Sequence, residues 1–112
     1  MGTRGKIPFI SSFAAFALCK GFDQLRMGAA YPHLNVKVAG SHGGISIGED
    51  GPSQMALEDL AMMRAVHGST VLYPADGNST ATLVGQTADM SGISYIRTTR
   101  EKTDMLYTEE ES

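Results

Sequence analysis

The chain has 112 residues, 42% of them hydrophobic, and a formal charge of −3. That length fits one domain with one modest core, and a net-acidic chain with no basic cluster speaks against a nucleic-acid-binding surface. No apolar run approaches the roughly 20 residues of a membrane span. Met1 to Lys6 lack the apolar segment of a secretory signal, and a single cysteine, Cys19, leaves no internal disulfide and suits a reducing cytoplasm.

In chain order, Ile7-Pro8-Phe9-Ile10 is a short apolar run. Pro8 cannot donate to a ladder, so this predicts an edge strand. Ser11 or Ser12 is placed to cap a first helix, roughly Phe13 to Ala30, with an apolar stripe at Leu18, Phe22, Leu25 and Ala29. Cys19 lies in that pattern and reads as a small core residue. Tyr31-Pro32 ends the helix.

A second strand runs from Asn35 to Ala39 and opens into a loop with Gly40, Gly43, Gly44, Gly48 and Gly51. The loop carries His42 and the adjacent carboxylates Glu49 and Asp50. Pro52 marks its end, and Ser53 is a candidate cap for a second helix to about Val66, with a stripe at Leu57, Leu60, Ala61 and Ala65. Thr70 to Tyr73 is a third strand, closed by Pro74. Asp76 caps a third helix, roughly Ser79 to Met90, with Leu83, Val84, Thr87 and Ala88 on one face. A fourth strand, Ile93 to Arg97, follows Ser91-Gly92. From Glu101 the pattern fades, and residues 101–112 read as an acidic, solvated, frayed tail.

Strands and helices therefore alternate. This predicts an α/β domain: a parallel sheet of about four strands, flanked by helices with right-handed crossovers. Strand C-termini in such a sheet share one rim, which gathers the His42–Asp50 loop, the Pro74–Asp76 turn and Arg100 where ligands bind. No internal repeat or domain boundary interrupts residues 1–112.

His42 is the candidate proton handler or polar ligand contact, since imidazole titrates near neutrality. Hydrogen bonding to loop backbone is the competing role. Asp50 or Glu49 could bind hydroxyls or orient His42, although Asp before Gly-Pro is also a common turn former. Arg100 could pair with a phosphate through its planar fork, or simply be solvated. Phe13 and Phe16 could stack on a flat ring, although their spacing suits core packing as well. One cysteine and the scattered His33, His42 and His67 supply no metal-ligand cluster. The glycines do not fall as G-x-G-x-x-G, so a dinucleotide-binding reading is distant.

The stretch G-S-H-G-G-I-S-I-G-E-D-G-P-S-Q-M-A-L-E-D-L-A resembles transketolase in its pyrimidine-binding domain. P-F-I-S-S-F-A-A-F, F-D-Q-L-R-M, V-L-Y-P-A-D-G and I-R-T-T-R extend the resemblance over nearly the whole chain. It implies a parallel α/β unit of a thiamine-diphosphate enzyme that moves a two-carbon ketol unit from a ketose phosphate to an aldose phosphate. Phe13 and Phe16 match the aromatic positions on the cofactor's aminopyrimidine. His42 matches the histidine that contacts the donor sugar and reaction intermediate, Asp50 the aspartate that reads a donor hydroxyl, and Arg100 an arginine that binds the sugar phosphate. Gln54 stands where some members place a phosphate-contacting histidine, and Cys19 where some place a third aromatic.

The family's cofactor-activating glutamate precedes the first strand, and no Glu occurs here before Glu49. Magnesium or calcium belongs to the family's diphosphate-binding domain, which these residues do not contain, nor do they contain its C-terminal domain. The expectation is a partial pyrimidine-binding fold, inactive alone, with apolar surface uncovered at one edge or face. It would complete its site with a diphosphate-binding domain from another segment or subunit, as a homodimer in the full enzyme. The alternative is a non-catalytic module that binds a transketolase subunit or a small metabolite.

Overall fold

The computed structural model describes residues 1–111, so the tail's last residue, Ser112, lies outside the described residues. Four strands form one parallel sheet: β1 (Phe9–Phe13), β2 (Lys37–Ser41), β3 (Thr70–Leu72) and β4 (Ser94–Arg97). Their spatial order is β1-β2-β4-β3. The predicted parallel sheet with flanking helices is therefore the fold. β1 is an edge strand, as Pro8 requires, and its Phe9 and Ile10 are exposed. β4 is buried along its whole length between β2 and β3.

Side-chain alternation assigns the two faces. Val36 and Val38 of the β2 region share a side with Ile93 and Tyr95 of the β4 region, since Val38 registers with Tyr95. These pack with Leu18, Leu25, Ala29, Met63 and Val66 into one buried core. The helical stretch from Ala15 to Ala30 and helix α2 (Asp59–Arg64) therefore cover this face. Lys37 and Ser94 point the other way, and the Lys37 ammonium donates to the carbonyls of Met90 (2.8 Å) and Gly92 (3.0 Å). Those carbonyls follow helix α3 (Gly77–Asp89), which places α3 on the second face. Two crossovers run one way across the sheet and the third returns, so right-handed connections require this split.

Three local expectations change. Ser11 and Ser12 do not cap a helix: they pair with Ala39 and Gly40 inside β1, and Phe13 is the strand's last residue. The helical stretch then starts without a side-chain cap. It is also not one regular helix, because wide turns at Ala15–Lys20 and Arg26–Ala30 flank a short α1 (Phe22–Leu25). Gly21 sits at the first junction, where a Cβ would come 2.8 Å from the carbonyl of Ala17. The predicted stripe at Leu18, Phe22, Leu25 and Ala29 does face the core.

Ser53 does not cap the second helix. Pro52–Gln54 is a single tight turn, Ser53 donates to the Gln54 side chain, and α2 begins at Asp59. Ala56, at φ 48°, breaks the intervening backbone. The helix's inward phase is accordingly Asp59, Met63 and Val66, with Leu60 packed beside them, whereas Leu57, Ala61 and Ala65 are exposed. On α3, Thr87 is buried and Leu83 and Ala88 half-buried, but Val84 is exposed.

Asp76 caps α3 as predicted, accepting from the Ser79 backbone N–H at 2.8 Å while the Ser79 hydroxyl faces the Asp76 N–H. Its second carboxylate oxygen accepts the N–H groups of Leu106 (2.7 Å) and Tyr107 (2.8 Å). The Ser79 hydroxyl first, then the Tyr107, Ser79 and Leu106 N–H groups, hold its carboxyl well below the usual range. The described part of the tail is exposed, but this carboxylate fastens it at two consecutive N–H groups.

Candidate functional site

The rim at the strand C-termini is built around the turn that leaves β2. Past the sheet, the Thr98 N–H donates to Gly40 (2.9 Å) and the Gly43 N–H donates to Thr98 (3.0 Å), so β2 and β4 stay tied beyond their last ladder pair. The Gly44 N–H then reaches the Met55 carbonyl at 2.6 Å, closing the loop onto its far end. Between these ties His42 is held at φ 59°, a left-handed backbone uncommon outside glycine.

That backbone lays the imidazole on Phe13, with ring centroids 4.0 Å apart and planes 15° from parallel. Phe16 stacks with Phe13 at 5.8 Å and 9°. The pairing arises because Phe13 ends β1 in register with Ser41, one residue before His42. His42 Nδ1 lies 3.0 Å from the Ser41 hydroxyl. The loop carboxylates are candidates for orienting His42 in the sequence; in the structure its side-chain hydrogen-bond partner is Ser41. Phe16 remains 47% exposed, which leaves aromatic surface for a flat ring to stack on.

The second group lies on the outer part of the loop. Arg100 donates to the Ile47 carbonyl (2.8 Å) and to Glu49 (2.6 Å), with Asp50 4.0 Å from the same guanidinium. The Glu49 hydrogen bond, then its charge, raises the Arg100 pKa further. Glu49 and Arg100 are both substantially exposed, so this pair is screened and loosely held. An incoming dianion can compete for the fork.

Beneath the loop is a buried polar cluster. Asp59 is fully buried and accepts the Tyr95 hydroxyl at 2.6 Å. Arg97 Nε lies 3.4 Å from the same carboxylate oxygen, and its guanidinium carbon sits 4.7 Å over the Tyr73 ring. Burial first, then the Asp59 hydrogen bond and charge, push the Tyr95 phenol up. Burial, with Glu58 and Asp59 nearby, pushes the Cys19 thiol up to about 11. Glycine is required above this cluster. A Cβ on Gly40 would approach the Tyr95 hydroxyl to 2.5 Å, and one on Gly43 would overlap Arg97 Nε.

Of the residues singled out in the sequence, Phe13, Phe16 and His42 form one stacked group, and Asp50 and Arg100 share a second with Glu49. No motif in the sequence marks Asp59, Tyr95 or Tyr73 as a site residue, and Arg97 stands out only as a strand end. The available signal was Asp59 itself, a carboxylate four residues before Met63 on the inward phase of a short helix. Among the described residues, no group of three or more His, Cys, Asp and Glu is placed to hold a metal ion, and no helix is long and apolar enough to cross a membrane.

Residues 1–105 match the family profile described as transketolase, pyrimidine binding domain. The chain is 55% identical over 111 residues to transketolase-like protein 2 of Mus musculus, covering 98% of this chain and 17% of that protein. It is 53% identical over 105 residues to the transketolase of Homo sapiens, covering 94% of this chain and 16% of that protein. Among solved structures it resembles a split-gene transketolase described as an inactive β4 tetramer. There the TM-score is 0.85 at 38% identity, over 97% of this chain and 34% of that one. A transketolase from Campylobacter jejuni aligns at a TM-score of 0.79 and 25% identity, over 90% of this chain and 16% of that one. The chain thus spans about a sixth of the length of the curated relatives it matches.

Proposed function

Because the chain belongs to the transketolase family, through its pyrimidine-binding domain, we propose that it forms the aminopyrimidine and sugar-phosphate side of a ketol-transfer site. The observation that carries this reading is the grouping of Phe13, Phe16 and His42 on the same rim as Arg100. The reaction is passage of a two-carbon ketol unit from a ketose phosphate to an aldose phosphate.

The residues present fit the family's cofactor in one respect. Two near-parallel phenyl rings, one of them half exposed, suit the flat aminopyrimidine of thiamine diphosphate. Phe13 and Phe16 would hold that ring. When bound, thiamine diphosphate supplies the carbanion chemistry that breaks and remakes the carbon–carbon bond. Magnesium or calcium at the diphosphate is assigned to the family's diphosphate-binding domain, on another segment or subunit, and the complete enzyme is assigned as a cytoplasmic homodimer of the pentose phosphate pathway.

His42 is the proton-handling contact to the donor sugar. Its ring is fixed by the Phe13 stack and its Nδ1 is engaged by Ser41, so Nε2 is the nitrogen left to work on substrate. Asp50 reads a donor hydroxyl, and Arg100 exchanges Glu49 for the substrate phosphate. The 112 residues alone are inactive in this reading. Mixed with a polypeptide carrying the diphosphate-binding domain, thiamine diphosphate and magnesium, the chain is expected to restore ketol transfer, with His42→Ala losing about a hundredfold in kcat. Turnover by the chain alone, or no loss in His42→Ala, would sink the assignment.

A second reading is a non-catalytic module that binds a transketolase subunit or a small metabolite. It is favoured by one observation: a structural relative at TM-score 0.85 is described as inactive and tetrameric. Co-purification of the complementing polypeptide without turnover would select it.

A further inference from the structure

We infer that Asp59, Tyr95 and Arg97 form a buried prop that fixes the turn carrying His42, so that Asp59 and Arg97 are positioning residues for the site proposed above. This rests on that reading of His42 only for its functional consequence. The prop itself rests on packing.

The three side chains converge from different elements. Asp59 is the first residue of α2, and Tyr95 and Arg97 lie two apart on β4, between β2 and β3. Asp59 holds the Tyr95 hydroxyl at 2.6 Å and draws Arg97 Nε to 3.4 Å. The upper surface of this cluster is the underside of the turn. The Tyr95 hydroxyl fills the space where Gly40 has no Cβ, and the Arg97 guanidinium fills the corresponding space at Gly43 and Gly44. Those glycines bracket His42, whose backbone is in the left-handed region. Tyr73 closes the guanidinium from its ring face.

The cluster is poorly made as a stability device. Asp59 Oδ1 and Arg97 Nε are buried without a hydrogen-bond partner, so the ion pair lacks an aligned hydrogen bond. A buried pair of this kind is often replaced by hydrocarbon without loss of stability. What hydrocarbon would not reproduce is a flat, charged group seated against glycine backbones. The C-terminal end of β4 also continues into Thr98, which exchanges backbone hydrogen bonds with Gly40 and Gly43. Side chain and main chain of β4 therefore grip the same turn from below and beside.

The test uses the whole chain and reads the His42 ring directly. Proton NMR of the parent chain is expected to show a nuclear Overhauser effect between the His42 and Phe13 rings, with His42 ring protons displaced upfield by the phenyl. The paired variant Asp59→Leu with Arg97→Met is expected to keep a dispersed, folded spectrum without that Overhauser effect. Arg97→Lys, which keeps the charge but not the planar fork, is expected to abolish it too. Persistence of the effect in a folded paired variant would overturn the prop. If the pair does not fold, Arg97→Lys decides: disappearance of the Overhauser effect supports the prop, and its persistence overturns it. In the complemented enzyme, the paired variant is expected to lower kcat about tenfold or more, with KM moved less. If His42→Ala leaves ketol transfer unchanged while the stacking of the two rings still depends on Arg97, the role of His42 fails and the prop stands.

Discussion

The two faces of the sheet are closed by different physics. On one, Val38, Tyr95, Leu18, Leu25, Met63 and Val66 seal the helical stretch 15–30 and α2 against the strands with hydrocarbon. On the other, polar clamps act: the Lys37 ammonium ties the sheet to two carbonyls just past the C-terminal end of α3, and the Asp76 carboxylate caps the start of α3 on Ser79 and fastens the tail to it at Leu106 and Tyr107. The first kind of closure is non-directional and tolerates sliding. The second fixes register but concentrates the hold in a few groups.

Mutation can sharpen that contrast. Leu18→Ala should destabilise by about 3 kcal/mol, because a fully buried leucine leaves a cavity the wide-turned helix cannot fill. Chemical denaturation measures it, and a loss below about 1 kcal/mol would mean that this face is not the principal core. Lys37→Met should cost less, about 1 kcal/mol. It strands two carbonyls but also removes a buried charge whose pKa burial already lowers. A loss equal to that of Leu18→Ala would erase the contrast between the faces.

Acid should weaken the clamp at the start of α3 through Asp76. The Asp76 carboxyl is depressed below its unfolded value by its hydrogen-bond donors. Its contribution is therefore present above the ordinary carboxylate pKa of about 4, and is lost as pH falls below that range toward the folded value. Thermal melts should show Asp76→Asn flattening the acid side of the stability profile, with parent and variant converging at low pH. A parallel offset at every pH would count against the clamp. The smallest effect is expected at Cys19. With its pKa at about 11, alkylation near neutral pH should be far slower than for a free thiol.

Periodicity made the sealed face legible and the clamped one largely opaque. The stripe from Leu18 to Ala29 and the β-branched pair Val36 and Val38 announced their partners because hydrocarbon burial follows regular spacing. Lys37 gave no signal, since a lysine in a strand normally faces water. The Ser11 cap failed because ladder pairing with β2 outweighed a local side-chain bond. The phase of α2 failed because a left-handed Ala56 delayed its start. At the rim, the resemblance names His42, Phe13, Phe16 and Arg100 as site residues, and the structure brings the first three into one stack while Arg100 pairs with Glu49. Asp59 was hidden, since Tyr95 lies 36 residues away in sequence and Arg97 farther still.

The place of β4 has a kinetic consequence. Of the four strands it is the last to leave the ribosome, yet it lies between β2 and β3, which do not touch without it. Until it arrives, β1 and β2 form one short ribbon and β3 has nothing to pair with. The four-stranded sheet therefore cannot be completed before residue 97 has emerged, and until then facing edges of β2 and β3 stay unpaired with each other.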